Sequence, residues 1–140
     1  MPRYVADRVL LAPLDDVWSF LVEPYNLTDW WPGVSGIEPD RRGLAPGARW
    51  KVVGTDRPTY FRRPQATGML LVLDVVAKER IAFRLTGDRI DADLTLRALD
   101  ERRTEASLVV EGPWLIGLGR RFPRLALDRL HALLRTGEEA

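Results

Sequence analysis

Residues 9–32, VLLAPLDDVWSFLVEPYNLTDWWP, decide the fold. The stretch opens on the end of an apolar strand and passes directly into a helix start. Pro13 fits the first helical turn, where its missing N–H would have no partner anyway. Asp15 and Asp16 fall where the positive end of the helix dipole favours them. Leu14, Val17, Trp18 and Leu21 follow the i, i+3, i+4, i+7 spacing of one buried face. Pro24 restarts a second short helix with Leu27, Trp30 and Trp31 on one face, and Pro32-Gly33 stops it.

Working outward, Arg3 to Leu11 reads as a first strand with imperfect alternation. Downstream, Val34 to Pro39 is a weak strand, Asp40 to Gly47 a turn-rich connection, and Ala48 to Val53 a strand with Trp50 and Val52 on one face. Gly54 to Gln65 holds two prolines and three arginines around Tyr60-Phe61 and reads as a long hairpin loop or a lid. Met69 to Val76 is apolar except for Asp74, as expected of a strand covered on both faces. Arg80 to Thr86 alternates with Ile81, Phe83 and Leu85 inward, and Gly87-Asp88 turns the chain. Ile90 to Ala98 and Thr104 to Glu111 alternate as the two half-solvated strands of a hairpin. From about Trp114 to Arg135, Leu115, Leu118, Phe122, Ala126, Leu130 and Leu133 have helical spacing. Pro123 inside that run predicts a kink or a division of the helix.

The chain has 140 residues, enough for one domain with a real core, and 1–140 is read as a single domain. A net charge of +1 gives no general attraction to nucleic acid or to an anionic membrane. With no cysteine, disulfides, thiolate nucleophiles and Cys-ligated metals are excluded, and a single histidine excludes a multi-His metal site. No metal and no cofactor are expected. The N-terminus lacks a signal-peptide apolar run, and nothing approaches the length of a membrane span, so the expected location is cytoplasmic.

The order is strand, two short helices, about six antiparallel strands and a long helix. With the apolar-x-A-P-x-x-x-V-W-x-F-L pattern at Leu10 to Leu21 and DWWPGV at Asp29 to Val34, the chain resembles the START/Bet v 1-like (SRPBCC) superfamily. It looks most like the bacterial polyketide cyclase/dehydrase and lipid-transport branch. The resemblance covers essentially the whole chain and implies an α+β helix-grip fold. In that fold a curved antiparallel sheet of about seven strands wraps a long C-terminal helix and leaves a hydrophobic cavity. It also implies small-molecule binding: lipids, sterols, polyketides or hormone-like ligands. Trp31-Pro32 matches the tryptophan–proline step of aromatase/cyclase members, but the longer signature around it is not reproduced, so no catalytic residue carries over.

The residues expected to line a ligand site are Trp31, Trp50, Tyr60, Phe61, Met69, Phe83, Leu94, Leu118 and Phe122, because aromatic and aliphatic side chains dominate such cavities. Ordinary core packing is the competing account of each, and is the reading preferred for Trp18. Three groups are candidates for acid–base or polarising roles. Arg129 lies seven residues after Phe122 and either aims a guanidinium into the cavity or packs its stem at the stripe's edge with its head in water. Asp74 is either a buried base or a surface carboxylate paired with an arginine such as Arg84. Tyr60 either donates to a ligand oxygen or caps the mouth with Phe61. His131 falls on the solvated side of its helix. The basic residues Arg62, Arg63, Arg120, Arg121 and Arg124 read as solvated surface.

Two classes of function follow, with a third behind them. The leading one is a binding protein, monomer or homodimer, that shelters a lipid- or polyketide-like molecule between sheet and C-terminal helix. No nucleic acid and no stable membrane insertion are expected of it. The rival is a polyketide cyclase, aromatase or dehydratase that folds its substrate by shape. The third is a protein-interaction or chaperone-cofactor module, which an exposed apolar patch would betray.

Overall fold

The computed structural model describes residues 3–32, 34, 36–54, 66–86, 89–112 and 121–139. Strand β1 (Arg3–Leu10) leads into α1 (Leu14–Leu21), a 3-10 turn (Pro24–Asn26) and α2 (Leu27–Trp30). Six strands follow: β2 (Gly36–Glu38), β3 (Arg49–Gly54), β4 (Ala66–Val76), β5 (Arg80–Leu85), β6 (Ile90–Ala98) and β7 (Thr104–Glu111). Helix α3 (Arg121–Glu139) comes last. The sheet is antiparallel throughout, in the order β1-β7-β6-β5-β4-β3-β2. This is the helix-grip architecture.

Alternation decides which face of each strand is buried. On β7, Thr104, Ala106, Leu108 and Val110 are all fully buried, and on β6 Ile90, Ala92, Leu94 and Leu96 join them on the concave face. Thr104 is the one buried polar side chain among the described residues, and its Oγ1 donates to the Ala12 carbonyl at 2.9 Å. That bond pins the bend between β1 and α1 to the sheet. The convex face carries an ion-pair ladder instead. Arg80 donates to Asp93 through Nε and Nη2 and to Asp74 through Nη1 at 2.9 Å, Arg84 pairs with Asp91, and Arg97 with Glu105.

One expectation changes here. Strand β4 is not covered on both faces: Leu70 and Val72 are buried, whereas Leu73 and Val76 are 44% and 38% exposed. Its register slips between Val72 and Asp74, a bulge that lets two apolar residues follow one another without both entering the core. The expected kink or division at Pro123 turns on residues 114–120, which lie outside the described residues.

Helix α3 packs against β1, β7 and α2. Phe122, Ala126, Leu127, Leu130 and Leu134 form its buried stripe. Its flank is fastened to β1 by Arg8, which alternation turns inward beneath the helix. Arg8 Nη1 pairs with Asp128, and Nη2 meets His131 Nδ1 at 3.1 Å. Arg8 Nε is buried there with no hydrogen-bond partner among the described residues. No described helix is long and apolar enough to cross a membrane.

Candidate ligand-binding cleft

The remaining part of the concave face, across β3 to β6, is roofed by the short helices. Val17 and Leu21 of α1 are buried, and Glu23 ends the connection by accepting the Tyr25 N–H at 3.3 Å ahead of Pro24. Asn26 Nδ2 donates to the Phe20 carbonyl at 2.8 Å, and Thr28 Oγ1 to the Tyr25 carbonyl at 3.0 Å. These local bonds hold the 3-10 turn and turn Leu27 and Trp30 down toward the sheet.

The β2–β3 connection closes the near side. Asp40 accepts backbone N–H groups from Arg42 and Arg49, both at 2.9 Å. Those bonds, Arg49 foremost, hold its carboxyl below the usual carboxylate value of 3.8 against a smaller opposing desolvation. The Trp50 indole donates to the Gly43 carbonyl at 2.9 Å, and Gly47 donates to the Val72 carbonyl at 2.8 Å. Gly43 and Gly47 have φ of 63° and 86°, the left-handed region that a side chain resists, and this lets the connection fold back onto β3. The loop carries Leu44 to the edge of the core.

Between these parts lies an apolar cleft. Leu21, Leu27 and Trp30 form its roof, Trp50, Leu70, Ile81, Phe83 and Leu94 its floor, and Glu23, Pro24 and Leu44 its mouth. The cleft spans about 340 Å³ including the part open to solvent, but the space a water can occupy is only about 20 Å³. That is room for a single water. A larger ligand enters only if the mouth opens.

Trp31 stands beside this cleft as a partition. Its ring meets Trp30 at 5.5 Å, Phe83 at 5.0 Å and Phe122 at 5.2 Å, all edge-to-face. At 1% exposure it separates α3 from the cleft, so the roof of this cleft is the pair of short helices and not the C-terminal helix.

The structure brings Trp50, Phe83 and Leu94 together on the cleft floor. Trp31 is buried against Phe83, and Phe122 against Trp31, just outside it, while Trp18 is partly buried at the core's edge. Met69 is a correction: because Leu70 and Val72 set the inward phase of β4, Met69 belongs to the convex face, opposite Lys51. Asp74 is another, since its carboxylate is paired with Arg80 and 46% exposed on that same face, while Arg84 is taken by Asp91. Arg129 is half-buried on α3, no residue of which lines the cleft. Tyr60, Phe61 and Leu118 lie outside the described residues. Sequence reasoning missed the other eight described lining residues, Glu23, Leu27, Trp30 and Leu44 among them. The proline at Pro24, with a carboxylate just before it, was the one available signal that this turn had a special position.

No protein-family model matches the chain, and no curated protein matches it. Solved structures do. Protein NE0264 from Nitrosomonas europaea is 18% identical with a TM-score of 0.71, over 99% of this chain and 97% of that one. DynU16, from the dynemicin biosynthetic locus, is 20% identical with a TM-score of 0.69, over 98% of this chain and 48% of its own. BexL, a di-domain ARO/CYC protein of the BE-7585A biosynthetic pathway, is 14% identical with a TM-score of 0.72, over 96% of this chain and 47% of its own. This chain therefore spans about half the length of DynU16 and of BexL. At such identities the likeness is one of fold, and the fold is helix-grip.

Proposed function

We propose that the protein binds a hydrophobic small molecule in the cleft between β3–β6 and the short helices. The observation that carries this is the composition of the walls among the described residues: eight apolar residues form roof and floor, and the mouth alone holds a charge. Such a site works by desolvating an apolar ligand and orienting it through few polar contacts. Its small free volume makes entry depend on displacing Leu44 and the Pro24 turn. Trp30 and Trp50 in the walls report on occupancy. Titration with flat polycyclic and fatty ligands, followed by tryptophan fluorescence, should give saturable quenching. Leu44→Ala, which opens the mouth, should strengthen it. The absence of any saturable change in either protein would remove the proposal.

A second reading is a cyclase or aromatase acting on an extended chain, favoured by the biosynthetic settings of BexL and DynU16. Of the candidates named from sequence, Arg129 is the described one on α3, the helix that meets Trp31 through Phe122. Turnover of a polyketide-like chain that persists undiminished in Arg129→Ala would take that residue out of the reaction.

A further inference from the structure

We infer that the cleft selects ligands whose polar end donates a hydrogen bond or carries positive charge, an aryl amine or aryl alcohol rather than an aryl carboxylate. The inference rests on the ligand-binding reading above and names the chemical class that the site takes. Of the described side chains lining the cleft, Glu23 alone is ionisable. One of its oxygens accepts the Tyr25 N–H at 3.3 Å, a long bond, and Oε2 has no hydrogen-bond partner among the described residues. A carboxylate is acceptor-only when ionised, so it can be satisfied by a ligand N–H or O–H and not by another anion.

Among the described residues, the usual donors for an anionic ligand are engaged or elsewhere. The Trp50 indole N–H is committed to the Gly43 carbonyl. Arg42, on the same loop as Leu44, does not line the cleft, and its guanidinium lies against Gly47. Arg129, the cation that sequence spacing put forward for a ligand carboxylate, is on α3 and does not line the cleft. An apolar ring among Trp30, Trp50 and Phe83 thus leaves its polar end at Glu23. Selection by sign of charge follows from one water-exposed carboxylate at the mouth of an apolar slot.

The test uses the full chain and three probes with one ring system: 2-naphthylmethylammonium, 2-naphthol and 2-naphthoate, compared by equilibrium dialysis at neutral pH and low salt. The ammonium should bind about tenfold more tightly than the carboxylate, attraction and repulsion at a water-exposed charge each contributing about threefold. Naphthol should fall between them, and added salt should compress the series. Glu23→Gln keeps an oxygen for the Tyr25 N–H and should bring the two ions to near parity, and Glu23→Lys should reverse their order. Thermal melts of both variants check that the fold is intact. Naphthoate binding as tightly as the ammonium, or a preference unchanged in folded Glu23→Gln, would overturn the inference while leaving ligand binding standing. Failure of all three probes to bind would remove the ligand-binding reading itself, and this inference with it.

Discussion

The concave face of the sheet is closed in two different ways along its width. Over β1 and β7 it is covered by one long helix whose stripe of Leu127, Leu130 and Leu134 lies directly on the strands, fastened at its flank by Arg8, Asp128 and His131. Over β3 to β6 it is covered by two short helices and a loop, fastened through backbone groups at Glu23, Asn26, Asp40 and Trp50. A long helix presents a continuous apolar stripe and fills the space beneath it. Short elements meeting at angles cannot, and a cleft remains where Leu44, Pro24 and Trp30 come together. Trp31 is the boundary between the two regimes.

Removing that boundary should have the largest effect. Trp31→Ala leaves a hole between Phe83 and Phe122 and should cost about 3–5 kcal/mol, read from urea denaturation. It should also join the cleft to the space beside α3. Next comes a break on the long-helix side. Thr104→Val keeps the volume of a fully buried side chain but leaves the Ala12 carbonyl without its donor, a loss of about 1–3 kcal/mol by the same measurement. On the cleft side, Trp50→Phe removes the indole bond to Gly43 and should cost about 1 kcal/mol. Its sharper signature is local: amide exchange at Gly47 and Ala48 should quicken while that of β6 and β7 does not.

The smallest effect distinguishes the two fastenings by pH. His131 is held below its ordinary value of 6.5 by burial first, then by Arg8 across on β1 and Arg135 on its own helix, with Asp128 opposing. The unfolded chain therefore takes up the proton first as pH falls. Stability present above the unfolded value is lost as pH drops through it toward the folded value. The urea midpoint should fall between about pH 7.5 and about pH 5, and His131→Gln should flatten that fall. Asp40, on the cleft side, is depressed in the folded state too, so the bonds it makes in the loop should hold at both pH values and fail only in stronger acid.

The alternating strands were legible because a half-buried strand must place apolar residues at every second position, and β6 and β7 do so from end to end. Strand β4 misled because a bulge breaks that period: the run through Leu73 looks buried on both faces when one of them is solvent. The double tryptophan was legible as important, but not in its division of labour. Trp30 and Trp31 are adjacent, equally apolar and nearly equally buried, and sequence offers nothing that sends one to the cleft roof and the other to the partition.

By itself, then, the sequence determined the order of elements, one strand, two proline-started helices, alternating strands and a helical stripe, and with the motifs among them a resemblance that implied the helix-grip fold. These are local patterns, each enforced by the need to bury one face of one element. The position of the cleft was decided only in three dimensions. It depends on where Trp31 comes to rest between β5 and α3, and on a loop that a carboxylate and an indole fold back by bonds to backbone groups. Such bonds form between residues whose spacing has no period, so no pattern in the sequence announces them.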